Sequence, residues 1–310
     1  MKDKVLMHLA WANDKFVSGV EMSNALDISR VAVWKHIKTL VNEGYDIESS
    51  PRGYGLATCR DLVRFSLERT TENILFSPSI DSTMDEARRL AREGVPHFTV
   101  VIAEQQTKGR GRLNRAWSSQ KGGLWFTIIL RPDLPPQLSF KVNFAASLCL
   151  AKTLNQLFNI NAKVKWPNDI LINNQKLVGL LSEMETRGDM ISFVNVGIGI
   201  NVNNQPEKEQ PNAVSISTLL GQKVSRTKIL AAFLDRFQRT LDNILERNII
   251  ELWKEQTATI GRQVRIETFK DHFQGLALDV DDTGALILMD EDHTTRRVIY
   301  GDCFYQETQS

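Results

Sequence analysis

The chain has 310 residues, of which 42% are hydrophobic and 24% charged, so it is long enough for more than one core. Its 38 Lys and Arg balance 37 Asp and Glu to a net charge of +1, which excludes a global electrostatic drive toward nucleic acid or an anionic membrane. Three widely spaced cysteines, Cys59, Cys149 and Cys303, argue against a disulfide framework or a zinc site, and no apolar run nears membrane-spanning length; a cytoplasmic protein with reduced thiols is expected.

Val5, Leu6, Leu9 and Phe16 mark a first helix and its exit. Ser18-Gly19 introduces a second over Val20 to Leu26. Ser29 is placed to cap a third that ends near Gly44, with Val31, Val33, Ile37, Leu40 and Val41 as its apolar stripe. Ile47 to Leu56, broken by the Pro51-Arg52-Gly53 turn, completes the order of a winged helix-turn-helix over residues 1–60. Arg30, Lys35 and Lys38 on the third helix, with Arg52 at the wing tip, form a local basic face suited to DNA. Eight basic less seven acidic residues leave this segment at only +1, so tight binding would need a dimer. A small helical packing module is the competing reading.

Residues 62–260 alternate helical and extended patterns, as in an α/β or α+β domain. Thr83 and Glu86 have capping-box spacing at the start of a helix. Phe98 to Glu104 and Leu124 to Leu130 read as buried strands on either side of Gly109-Arg110-Gly111-Arg112-Leu113-Asn114-Arg115-Ala116-Trp117. Three guanidinium forks on a backbone loosened by two glycines suit a loop that closes over an anion; a solvated basic loop is the alternative.

Lys163 to Asp169, Ile170 to Ile172, an Asn173-Asn174 turn and Lys176 to Gly179 read as a strand, a proline kink and a hairpin. Its return strand carries Lys176 into apolar company, where the ammonium needs an anion unless it snorkels to water. Asp169 either meets the ligand or fixes the kink. From Phe193 to Asn203, Val194, Val196, Ile198, Ile200 and Val202 alternate with Asn195, Gly197, Gly199, Asn201 and Asn203. The greasy face belongs to the core, and the paired glycines suggest that something flat approaches the other. Asn204 to Asn212 forms a surface connection, and a long amphipathic helix follows with Ile229, Leu230, Phe233, Phe237, Leu241 and Ile244. Residues 261–310 have the short strands and turns of a small β-barrel. The chain offers no nucleophile and base pair and no metal cluster from the protein, which favours chemistry by positioning and charge neutralisation, as in nucleotidyl transfer.

The Arg loop resembles the Gly-Arg-Gly-Arg-X-Gly-Arg-X-Trp loop of the biotin protein ligases. Lys165-Trp166-Pro167-Asn168-Asp169 with Lys176-Leu177-Val178-Gly179 resembles that family's second block, and Gly197-Ile198-Gly199-Ile200-Asn201 its third; Asp81-Ser82-Thr83 and Gln106 sit where it has its ureido-ring contacts. The resemblance implies an α+β fold: an N-terminal winged helix-turn-helix, a central class II synthetase-like biotin/lipoate ligase domain and a C-terminal SH3-like β-barrel.

It also implies two half-reactions. Biotin and ATP, with Mg2+, give biotinyl-5′-AMP, and a lysine of the biotin carboxyl carrier protein of acetyl-CoA carboxylase then takes the biotin. Arg112 and Lys176 would be catalytic. Ser82, Thr83, Gln106, Gly109, Arg110, Gly111, Arg112, Lys176, Gly179, Gly197 and Gly199 would hold biotin; Arg110, Trp117 and Asn201 would hold the nucleotide, with Lys165 and Asp169 as further candidates. Repressor-type members dimerise with biotinyl-5′-AMP bound and hold operator DNA of biotin biosynthesis genes, so a homodimer is expected. Asn114 stands at a usual glycine position, which puts loop closure in question, although Asn tolerates left-handed backbone angles. A lipoate ligase and a ligand-sensing repressor without catalysis are the competing functions.

Overall fold

The computed structural model describes residues 1–12, 16–57, 60–68, 73–246 and 248–306. Cys59 lies outside them. Helices α1 (Lys2–Trp11), α2 (Gly19–Leu26) and α3 (Arg30–Asn42) precede a hairpin of β1 (Ile47–Ser50) and β2 (Gly53–Leu56). Ser18 Oγ accepts from Glu21 N at 3.0 Å and Ser29 Oγ from Ala32 N at 3.1 Å, so serine caps set both starts. Val5, Leu9, Met22, Val33, Ile37, Leu40 and Leu56 form a core of their own. The expected stripe on α3 is narrower than its valines suggested. Val31 is 62% exposed, because about 100° per residue puts it opposite Val33, and Val41, in the last turn, is 46% exposed.

Helix α4 (Arg60–Glu68) leads to β3 (Ile74–Ser77), α5 (Thr83–Arg92), β4 (Thr99–Ala103), β5 (Leu124–Leu130) and α6 (Phe140–Phe158). There follow β6 (Lys163–Lys165), β7 (Asp169–Ile172), β8 (Gln175–Arg187), β9 (Met190–Ile200), α7 (Ile216–Leu220), α8 (Arg226–Leu241) and α9 (Ile249–Lys254). The seven strands run β3-β4-β5-β9-β8-β7-β6, with only β3 and β4 parallel. Asn173 and Asn174 have φ of 50° and 64°, the left-handed pair that a two-residue turn between β7 and β8 requires. Val194, Val196, Ile198 and Ile200 share one buried cluster with residues of α6 and α8, while Phe193 packs with Ala87, Leu90 and Ala91 of α5 on the opposite face. Ile244 is buried but lies beyond the end of α8.

The cap of α5 departs from expectation by one residue. Ser82, not Thr83, is the N-cap and accepts from Asp85 N at 3.4 Å, while Glu86 pairs with Arg89. Thr83 is unavailable because its hydroxyl already bonds Gln106 and Thr127.

Strands β10 (Gln263–Glu267), β11 (His272–Val280), β12 (Leu286–Met289), β13 (Thr295–Val298) and β14 (Asp302–Tyr305) make an antiparallel SH3-like sheet ordered β13-β12-β11-β10-β14. Val264, Ile266, Leu286, Leu288 and Cys303 belong to the same buried cluster as the central sheet, and Trp166 Nε1 donates to Gly284 O at 3.0 Å. No described helix is long and apolar enough to cross a membrane.

Candidate active site

A cavity of about 880 Å³ opens where the loop between β4 and β5 meets the β6–β8 hairpin, β9 and β14. The loop is a small fold in itself: Trp117 N donates to Gly109 O and Gly111 N to Arg115 O, both at 2.8 Å. Gly109 is required, since a Cβ there would stand 2.5 Å from both Ser119 Oγ and Trp117 O. The left-handed residue is Leu113, with φ of 54°, rather than Asn114.

Ser82, Thr83, Gln106, Arg110, Gly111, Arg112, Trp117, Lys165, Asp169, Lys176, Gly179, Gly197 and Gly199 all line this cavity. Its neutral end is a hydrogen-bond relay. Thr127 Oγ1 donates to Thr83 Oγ1 at 2.9 Å, Thr83 Oγ1 to Gln106 Oε1 at 3.0 Å, and Gln106 Nε2 to Ser119 Oγ at 2.8 Å. The relay fixes which way the Gln106 amide faces, so the site's donors are set before a ligand arrives.

The other end is ionic. Lys176 Nζ lies 2.8 Å from Asp169 Oδ1 and 5.1 Å from the Trp117 ring centre, so the ammonium meets a carboxylate and an aromatic face. Arg112 is more loosely held: Nη1 reaches Asn168 Oδ1 at 3.5 Å and Nε stands 4.0 Å from Asp302 Oδ1. Burial draws its pKa below the ordinary arginine value, yet a guanidinium stays charged. A desolvated cation with long contacts retains capacity for an incoming anion.

Two sets of expected ligand contacts on this wall also have partners within the protein. Arg110, expected on the ligand, donates to Glu183 and, at 3.0 Å, to Asp85, so its charge is already balanced by carboxylates reached only through the tertiary fold. The glycine face, expected to admit a ligand, meets protein: a Cβ on Gly197 would lie 2.7 Å from Met84 Sδ, and Cβ atoms on Gly179 and Gly199 would lie 2.8 and 2.5 Å from the Trp117 indole. A tryptophan of the Arg loop is thus one flat object against this face, and its buried Nε1 has no hydrogen-bond partner among the described residues. Asn201 is buried off the cavity wall. Its side chain accepts from Asn204 at 2.9 Å and donates to Lys176 O at 3.5 Å.

Thr127, Asn168, Arg262, Asp302 and Tyr305 were not singled out from sequence. Lys165 Nζ and the Arg262 guanidinium stand 4.9 and 4.5 Å from the Tyr305 ring centre, and Arg115 pairs with Asp302 at 2.7 Å. Asn168 at least lay within a quoted block. The others come from a distant sheet or a buried strand, and no spacing announces them. Away from the cavity, Arg30, Lys35 and Lys38 are exposed along α3, and Arg52 is exposed at the wing tip, 5.2 Å from the Phe16 ring centre.

A profile of the Biotin/lipoate A/B protein ligase family matches residues 76–203, an HTH domain profile residues 4–55, and a Biotin protein ligase C terminal domain profile residues 259–305. The Bifunctional ligase/repressor BirA of Bacillus subtilis is 36% identical over 293 residues, 89% of this chain and 90% of that protein. The Biotin--[acetyl-CoA-carboxylase] ligase of Paracoccus denitrificans is 33% identical over 218 residues, 67% of this chain and 90% of that protein. The biotin protein ligase from Aquifex aeolicus in complex with biotin and ATP superposes with a TM-score of 0.65 at 27% identity, covering 76% of this chain and 100% of that one.

Proposed function

This chain belongs to the bifunctional ligase/repressor members of the biotin/lipoate protein ligase family, and from that premise we propose how its cavity works. The protein is a biotin protein ligase with a helix-turn-helix repressor domain, and its substrates are biotin and ATP. Its acceptor is a biotin carboxyl carrier protein, and its DNA partner is an operator.

The observation that carries the residue-level reading is one cavity lined by prearranged amide and hydroxyl groups, by cations and by Trp117. Ser82, Thr83 and Gln106 orient biotin's ureido ring. Arg112 and Lys176 draw the biotin carboxylate and the α-phosphate together against their repulsion. A carboxylate oxygen forms the bond to phosphorus as the bond to pyrophosphate breaks, and the two cations stabilise the charge gathered at that phosphorus. Trp117 covers the adenine, and the closed loop keeps water from the mixed anhydride. The carrier lysine, as a free amine, then attacks the acyl carbon; AMP leaves and the amine loses a proton.

Magnesium fits as an ion brought by the triphosphate, since it keeps several waters and needs one or two carboxylates besides phosphate; Asp169 on the cavity wall can be one. When bound it neutralises charge on the departing pyrophosphate. Arg30, Lys35, Lys38 and Arg52 hold DNA phosphates, and the adenylate-bound form dimerises so that two α3 helices read two half-sites.

Incubation with radiolabelled biotin, ATP, magnesium and an apo carrier domain tests the ligase. Label on the carrier is expected, and pyrophosphate release with lipoate in place of biotin would overturn the assignment of biotin.

A further inference from the structure

Arg226 is the first residue of α8, where the positive end of the helix dipole disfavours a cation, and it is only 6% exposed. What holds it there is specific. Its Nε and Nη2 donate to the two oxygens of Asp61 at 3.0 and 2.7 Å, and its Nη1 donates to Glu104 Oε2 at 2.8 Å and to Gly123 O at 3.1 Å. The second Glu104 oxygen accepts from Gly122 N at 3.2 Å.

These partners lie at informative places. Glu104 follows β4 and stands two residues before Gln106, while Gly122 and Gly123 immediately precede β5, so the cluster grips both feet of the Arg loop. Asp61 belongs to α4, whose Arg60 Nη1 donates to Ala12 O at 3.3 Å and whose Arg64 Nε donates to Ala10 O at 2.5 Å. Those carbonyls end α1 of the DNA module. Helix α4 is therefore a bracket, with α1 on one side and Arg226 on the other. Asp61, Glu104 and Arg226 are not among the residues that line the cavity, so substrate contact does not account for the cluster.

We propose that Arg226 is a positioning residue that fastens both feet of the Arg loop to α4, so that ordering of the loop by ligand also tightens the seating of the helix-turn-helix module. Such coupling requires a two-state element, and the Arg loop, free or drawn onto ligand, is the part of the proposal that supplies it. Asp61 holds Nε and Nη2 while Glu104 holds Nη1, so either carboxylate can be neutralised while the other still pairs the guanidinium. The proposal rests on the ligase reading, because the ligands that order the loop are biotin and ATP.

The test compares the full-length wild type with Asp61→Asn, Glu104→Gln and Arg226→Lys in two measurements. One is biotin-dependent pyrophosphate exchange, giving KM and kcat. The other is amide hydrogen exchange at residues 9–12 with and without biotin and ATP. Asp61→Asn should keep KM and kcat within about twofold of wild type yet lose the ligand-dependent protection of α1. Glu104→Gln should raise the biotin KM about tenfold, the scale of one charged hydrogen bond, with a smaller change in kcat. Arg226→Lys keeps the charge without the fork and should show both effects in part; it decides the loop half if Glu104→Gln does not fold. Wild-type protection in Asp61→Asn, or none in the wild type, would overturn the coupling. An unchanged biotin KM in both other variants would overturn the positioning role. A wild type with no pyrophosphate exchange would instead sink the ligase reading.

Discussion

The Trp117 indole fills the space that a side chain on Gly199 would take: a Cβ there would lie 2.5 Å from Trp117 Nε1. Gly199→Ala should therefore push the indole off the strand. Overpacking of this kind costs about 1–3 kcal/mol, or about 5- to 150-fold, and the cost should fall on the ATP KM with biotin affinity nearly kept. Steady-state adenylation at varied ATP measures it. An unchanged ATP KM would show that Trp117 has no part in holding the nucleotide.

Lys176 sits 2.8 Å from Asp169, an arrangement that fits either a catalytic cation or a structural ion pair. For a cation that stabilises charge in the transition state, Lys176→Ala should lower kcat for adenylation about 10²–10³-fold. Transfer from preformed biotinyl-5′-AMP to carrier should fall much less. Equal loss in both half-reactions would point to a structural pair.

Burial pushes the Glu104 carboxyl above the usual glutamate range, outweighing the pull of Arg226. A folded-state value above the unfolded one means that the native protein keeps a proton that the unfolded chain releases near pH ~4.3. That contribution is complete below ~4.3 and is lost as pH rises through the folded-state value. Glu104→Gln cannot titrate, so wild-type stability relative to the variant should decline as pH rises from ~4.3 toward neutrality. Urea midpoints of both proteins across this range check the sign, and a constant difference would refute it.

Lys35 and Lys38 are exposed on α3. If each contacts a phosphate, replacing either with Ala should make the plot of log K against log salt shallower by about 0.9 on DNA upstream of biotin biosynthesis genes. Fluorescence anisotropy at several salt concentrations gives the slope. Variants with wild-type slopes would take α3 off the DNA.

Much of the site was legible because it is written locally. Gly109, the Asn173-Asn174 turn and the alternation along β9 are consequences of backbone geometry and period, which short stretches carry. Missed features depend on partners remote in sequence. Arg110 meets Glu183 across 73 residues and Arg226 meets Asp61 across 165, distances over which no pattern speaks. Gly199 announced a close approach, but a glycine records only that space is taken, so the tryptophan in it had to be seen. Val31 misled because apolar identity alone does not set a helix face; the angular position relative to Val33 and Ile37 does.

The buried cluster that runs unbroken from α6 through the central strands into β10, β12 and β14 bears on how the molecule melts. A reader of the chain counts three segments, but cohesion divides it in two. Trp166 and Gly284 cannot part without opening the oil drop they share, so calorimetry should find the C-terminal strands coming apart together with the catalytic layer in a single endotherm. The N-terminal helices have a small core of their own, tied to the rest through Val63 of α4, and should melt as a second transition.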